Sequence, residues 1–265
     1  AWPGNVRELE NMVYRELLLN DSRVLTNTLA EGRGGTVQLE AQTLRIEGNA
    51  AVGSNALAGS GDAGGVSLRA ERLLRLVNGN VNSLTASAGD AGAILLQAPE
   101  VLIEANSQVL ASVFQSASGA GGEVRVLAGD GLVVQGSSRI DSSSFGGGPA
   151  GRILLASAGS LGLLDGALVS SFTTGAAPAG TIALQAAGLL RIEGGSHVEG
   201  STIGSGAAGS LNVQGGEVRI GNATLNSSTL GQGAAGQIEV QAGGLLELGA
   251  GALISAVAGD ESAGQ

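Results

Sequence analysis

One phrase is written into this chain again and again. Gly233-Ala234-Ala235-Gly236-Gln237-Ile238-Glu239-Val240 returns upstream as Gly206-Ala207-Ala208-Gly209-Ser210-Leu211-Asn212-Val213, and before that as Ala179-Gly180-Thr181-Ile182-Ala183-Leu184 and Ala150-Gly151-Arg152-Ile153-Leu154-Leu155. The glycines that lead each unit are Gly35, Gly65, Gly92, Gly122, Gly151, Gly180, Gly209, Gly236 and Gly264, separated by 27 to 30 residues. A unit of this length cannot bury an apolar face by itself. It does so by stacking on its neighbours, so a sustained period in this range means a solenoid or an array.

Three short strand patterns fit inside each unit. In the unit led by Gly122 they are Glu123 to Leu127, Leu132 to Gln135 and Arg139 to Phe145, each ended by glycine, serine or both. The last full unit repeats the order at Ile238 to Val240, Leu245 to Leu248 and Leu253 to Val257. Alternation within each strand calls for one buried and one exposed face. The expected fold is therefore all-β: a single-stranded parallel β-helix with three strands per coil, about eight coils over residues 35–265, right-handed by the general crossover preference. Forty-seven glycines argue against long helices, and an aromatic content of 2% leaves Leu, Ile, Val and Ala to fill narrow layers. A leucine-rich repeat needs a helical stripe per unit, and a propeller blade runs to about 40–50 residues; neither fits. Phe114, Phe145, Phe172, Ile203, Leu230 and Val257 recur six to eight residues before successive leading glycines. They are expected to form one apolar column inside the helix.

The net charge is −10 and all 13 basic residues are arginine. Nucleic-acid binding is not expected, because phosphate contacts need a concentrated basic patch. With no cysteine there is neither a disulfide nor a thiolate metal site. No apolar run reaches the 18 or so residues of a membrane span, so no membrane insertion is expected. Residues 1–20 lack a signal peptide's basic start and apolar core; an export signal is expected outside this chain. Gln265 falls one residue into a new unit, which reads as an internal segment of a longer array.

Residues 1–20 stand apart from the repeat. Asn5 and Glu8 have capping-box spacing, and Val6, Leu9, Val13 and Leu17 form a helical stripe, so this stretch is expected to be a short N-terminal amphipathic α-helix, with 21–34 as a transition. Trp2-Pro3-Gly4-Asn5-Val6-Arg7-Glu8-Leu9-Glu10-Asn11 resembles the W-P-G-N-V-R-E-L-E-N segment of sigma-54-dependent AAA+ transcription activators. In that family the segment belongs to the helical lid, and the arginine matching Arg7 senses nucleotide. The chain has no lysine and hence no phosphate loop. The stretch is read as a fragment of such a protein or as a cap over the end of the solenoid, two readings that are compatible.

Few residues offer chemistry. The serine and threonine clusters Ser142-Ser143-Ser144, Ser170-Ser171, Ser201-Thr202 and Ser227-Ser228-Thr229 recur at the third strand and read as hydroxyl ladders. A nucleophilic serine needs a base. The single histidine, His197, occupies a repeat position filled elsewhere by Arg139, Thr224 or Leu253 and reads as a solvated turn residue. Asp62 and Asp90 lie in corresponding loops and read as turn carboxylates rather than a shared cation site. Arg45, Glu47, Glu104, Arg191, Glu193, Arg219 and Glu247 alternate in sign along the second strand, as a neutralised outer surface would. No catalytic residue, cofactor or metal is assigned, and the chain is not expected to be an enzyme.

Leu225-Asn226-Ser227-Ser228-Thr229-Leu230-Gly231-Gln232-Gly233-Ala234-Ala235-Gly236-Gln237-Ile238-Glu239-Val240, and likewise Ile140 to Gly151, are similar to repeats of filamentous-haemagglutinin-like exoproteins. Those are large surface or secreted proteins of Gram-negative bacteria and cyanobacteria, commonly exported by two-partner secretion. The resemblance implies an extracellular or cell-surface location and a structural or adhesive stalk. It also implies contact with a host-cell, glycan or matrix surface, and end-to-end self-association through uncovered coils. Two alternatives remain: a carbohydrate-binding or polysaccharide-cleaving β-helix, and an appendage of a sigma-54-type regulator.

Overall fold

The computed structural model describes residues 13–29, 31–114 and 117–259. They form strands and turns only. β1 (Val13–Asn20) and β2 (Arg23–Thr28) make the first layer, β3 (Val37–Glu47) and β4 (Ala51–Ala56) the second, β5 (Val66–Val77) and β6 (Asn80–Asn82) the third. β7 (Ile94–Glu104) and β8 (Gln108–Leu110) follow, then β9 (Val124–Val134) and β10 (Arg139–Asp141). The sixth layer has three separate strands, β11 (Ile153–Ser157), β12 (Ser160–Leu163) and β13 (Leu168–Ser170). β14 (Thr181–Glu199) and β15 (Ser210–Asn226) each run through all three strand positions of a coil, and β16 (Gln237–Ala242), β17 (Leu246–Leu248) and β18 (Ala252–Ser255) close the series. Every pairing among them is parallel and joins one layer to the next. This is the expected parallel β-helix, turning eight times at about 29 residues per turn: Ile153 sits over Val124, and Ile182 over Ile153. The first two strands of a coil often run together through a register shift, as between Ala41 and Thr43 or between Ala186 and Leu189.

Inward positions stack as columns. Leu17, Leu44, Leu74, Val101, Leu132, Leu161, Leu190, Val218 and Leu246 make one, and Val24, Val52, Val81, Val109, Ile140, Val169, Val198, Leu225 and Ile254 another. Between the end layers these side chains are almost wholly buried. Each is small enough to fill one layer about 4.8 Å thick without displacing the next.

Three sequence expectations need correction. Residues 13–20 are a strand, β1, paired with Glu40–Glu47, and not the C-terminal part of an amphipathic helix; residues 1–12 lie outside the described residues. The helical stripe through Val13 and Leu17 yields here to the alternation of Leu17 and Leu19, which complete two inward columns, and to the ladder offered by β3. β2 likewise pairs with β4, so the span 21–34 contains solenoid strand rather than only a transition.

The third correction concerns the phenylalanine column, which points outward. Phe114 is 48% exposed, Ile203 51%, Leu230 68% and Val257 57%, while Phe145 and Phe172 are half-buried. The inward places beside them belong to Thr85, Val113, Ser144, Thr173, Thr202 and Thr229, which bridge from layer to layer. Parity along the third strand follows the bonded hydroxyls of Ser54, Ser83, Ser142, Ser171 and Ser227 and the bridging residues two places on, not the bulkiest apolar residue.

Candidate functional site

The leading glycines are required by space. The stacked series is Gly35, Gly64, Gly92, Gly122, Gly151, Gly180, Gly209 and Gly236, so Gly64 rather than Gly65 belongs to the ladder. A Cβ on any of these from Gly64 onward would overlap the carbonyl oxygen of the glycine one layer below. Facing the ladder from the end of the third strand is a column of buried hydroxyls. Ser54 donates to Gly35 O at 2.6 Å, Ser83 to Gly64 O at 2.8 Å, Ser171 to Gly151 O at 2.7 Å and Ser227 to Gly209 O at 2.6 Å, and Ser142 bonds Gly122 O in the same way. In return the N–H groups of Gly64 and Gly92 donate to Ser54 and Ser83 at 3.0 and 2.8 Å. The hydroxyl ladders read from the sequence are therefore structural ties that close each coil across its own interior, and at Ser54 and Ser83 they also accept from the glycine that opens the coil after. Ser144 Oγ, fully buried inside, has no partner.

The corner between the second and third strands uses left-handed backbone. Asn78 and Asn222 turn it with one residue of positive φ (51° and 46°), whereas Gly48 and Asn49, or Gly194 and Gly195, use two. Asparagine tolerates this region better than most residues. The one-residue difference is part of why the spacing varies.

One ionic cluster is absent from the sequence reading. Asp141 is 1% exposed although its side chain lies on the outer parity of the third strand. One carboxylate oxygen accepts from Ser112 Oγ and from the Ser143 N–H at 2.9 Å; the other accepts from Ser143 Oγ at 3.0 Å and from the Arg139 guanidinium, with Nε at 3.0 Å. Ser143 in turn meets Ser170 Oγ at 3.2 Å in the next layer and accepts from the Phe172 N–H at 3.0 Å. The signal was available: Arg139 and Asp141 stand two apart in a strand, on one face, among serines. Chemically the cluster is satisfied, and it ties three layers together.

The other polar candidates are similarly engaged. Asp62 accepts from the Asp90 N–H at 3.0 Å and pairs with Arg33 at 3.1 Å; Asp90 accepts from the Ala120 N–H at 2.7 Å. These carboxylates cap backbone of the following layer. No group of three metal-ligating side chains occurs among the described residues. His197 is exposed on the third-strand part of β14, stacked between Leu168 and Thr224 rather than in a turn, and touches none of the serine clusters through a hydrogen bond among the described contacts. On the second strand Arg75 meets Glu104 at 2.8 Å, and Arg219 lies 3.6 Å from Glu217 and 3.5 Å from Glu247. Arg45 reaches Glu16 at 3.7 Å. Arg191 is held above the ordinary arginine range, chiefly by its hydrogen bond to Glu193 and then by that residue's charge.

Two of the open surfaces bear on function. One is a groove of about 680 Å³ at the corner between the first two strands, floored by Ala128, Ser157 and Ala186 and edged by the stacked amides Gln185, Gln214 and Gln241. The other is the outward apolar column, in which the Phe145 and Phe172 rings lie 6.2 Å apart at 45°. Among the described residues no helix is long and apolar enough to cross a membrane. No family model, no curated protein and no solved structure matches the chain.

Proposed function

We propose that the chain is a stalk segment of a bacterial surface or secreted protein of the filamentous-haemagglutinin kind, a rigid β-helical rod that spaces or presents adhesive surfaces. The observation that carries this reading is how the polar side chains are used. Ser54, Ser83, Ser142, Ser171 and Ser227 each tie the third strand of a coil to that coil's own leading glycine, Ser54 and Ser83 also accept from the glycine that opens the next coil, and Asp62, Asp90 and Asp141 bond to a neighbouring coil. A chain that spends its reactive groups on cohesion within and between coils is suited to a mechanical role, not a catalytic one. Eight turns at about 4.8 Å give a rise of roughly 38 Å. Cell-binding assays with surface-displayed protein test the adhesive part: display is expected to raise attachment to host cells or matrix, and attachment no higher than that of an unrelated rod of equal length would overturn it.

A second reading rests on the amide-edged groove. Gln185, Gln214 and Gln241 repeat a donor and an acceptor once per layer beside a floor of small residues, an arrangement suited to the hydroxyls of an extended carbohydrate. Glycan-array binding lost in the Gln185→Ala/Gln214→Ala variant would favour it, and an array with no binding would dismiss it.

A further inference from the structure

We infer that the outward apolar column is a lateral docking surface for a second copy of this chain. Between residues 31 and 244, the large apolar side chains strongly exposed among the described residues are Leu57, Phe114, Ile203 and Leu230. All four, with Phe145, occupy one stacked position. The backbone places Leu57, Phe114, Phe145, Ile203 and Leu230 each just after the bridging residue of its own layer. Phe172 lies beside Phe145 from the neighbouring position, with ring centroids 6.2 Å apart, so all three phenylalanines of the chain lie on or beside this stripe. Ala86 and Thr174 hold the same position in the two remaining layers, with Phe172 beside Thr174, and an exposed apolar stripe of this kind marks an interaction site.

Charge selects the occupant. The loop-side segments 112–122, 142–151, 170–180, 200–209 and 227–236 contain no Asp, Glu or Arg, although the chain carries −10 in all. Two acidic copies approaching by their other faces would set carboxylates against carboxylates. On this face the carboxylates are Asp62 and Asp90, in the two layers at the Leu57 end, and a two-fold arrangement about the Phe145 layer sets them against the uncharged segments 227–236 and 200–209. A lipid surface is a poorer match, because interfacial binding draws on a cationic rim that the stripe lacks. A second copy presents the same ladder at the same spacing of about 4.8 Å, so the side chains can interdigitate layer by layer.

The stripe from Leu57 to Leu230 spans seven layers, centred on the layer of Phe145. An isologous dimer across a two-fold axis there places Phe145 against its counterpart in the other copy. Six spacings of about 4.8 Å make a contact roughly 29 Å long. The inference needs only the solenoid and its surface, so it stands or falls separately from the stalk reading.

Sedimentation velocity over about 1 to 500 μM tests it. The wild-type chain is expected to pass from monomer to dimer, and Phe145→Ser/Phe172→Ser to weaken dimerisation at least ~10-fold, with its circular dichroism unchanged. Gln185→Ser/Gln214→Ser, in the corner groove, leaves dimerisation as it is. Because the chain has no cysteine, Phe145→Cys alone is expected to form a disulfide-linked dimer under mild oxidation. Leu253→Cys, in the last layer, is not. A monomer throughout the range overturns the inference. So does crosslinking through Leu253→Cys in place of Phe145→Cys, which would mean end-to-end contact, and so does binding to uncharged lipid vesicles without self-association.

Discussion

Gly64 and Gly65 are neighbours in the chain, yet alanine at the two positions should have very different effects. Neither needs a positive φ. A Cβ on Gly64 would lie 2.6 Å from both Gly34 O and Ser54 Oγ and overlap Gly35 O, whereas one on Gly65 meets only Ala93 O at an ordinary 3.5 Å. Relieving the overlap at Gly64 means pushing adjacent layers apart where Ser54 donates to Gly35 O and the Gly64 N–H donates to Ser54. Each of those bonds contributes about 1 kcal/mol. Overpacking against backbone that cannot rotate away adds about 1–3 kcal/mol. Gly64→Ala is therefore expected to cost about 3–5 kcal/mol, and Gly65→Ala less than about 0.5 kcal/mol. Urea unfolding followed by circular dichroism measures both. Because a solenoid can lose its layers piecemeal, hydrogen exchange at the layers flanking residue 64 should accompany it. Equal stabilities for the two variants, within about 0.5 kcal/mol, would refute the claim that the ladder glycines are fixed by close approach.

Leu155→Ala, at a fully buried inward position, should cost about 2–5 kcal/mol, while Phe114→Ala, 48% exposed, should stay within about 1 kcal/mol; urea midpoints that reversed this order would restore the inward phenylalanine column. Asp141→Ala strands Arg139, Ser112 and Ser143 in a buried network and should lower stability by about 2–4 kcal/mol in the same assay, the partial exposure of Arg139 softening the loss. Arg191→Ala should change stability by less than about 1 kcal/mol, because its pairing with Glu193 is largely in solvent. The raised Arg191 pKa contributes stability that is present at lower pH and lost only as pH rises through the arginine range; the Arg191→Ala difference should therefore stay flat from pH 5 to 9, a trend that thermal melts can follow.

The architecture was legible because stacking forces equivalent residues into columns. The period, the parallel β-helix and the three strands of a coil all follow from the repeated small residue, glycine and alternating run. The sidedness of the third strand was not legible in the same way. In Ile140-Asp141-Ser142-Ser143-Ser144-Phe145 a hydropathy argument sends Phe145 inward; the buried Ser142 and Ser144, held by bonds and bridges across the coil, send it out. β1 was hidden for a related reason. Val13 and Leu17 fit a helix by local spacing, and only the neighbouring β3 makes a strand the better partner for Leu17 and Leu19. Asp141 went unseen because a carboxylate in an outward position ordinarily stays in solvent, and only the layers above and below show that it is covered.

Distances along one surface column test the stacked rod most directly. Glu40, Arg69, Gln97 and Gln241 share a column, Gln241 lying seven, six and five layers from the other three. Cysteines introduced in pairs at Gln241 and each of the others can be spin-labelled cleanly, since the chain has no cysteine of its own. Pulsed electron resonance should give mean separations of about 34, 29 and 24 Å, decreasing by about 4.8 Å per layer. Separations that do not fall in equal steps, or that cluster near a single value, would contradict a solenoid of in-register coils.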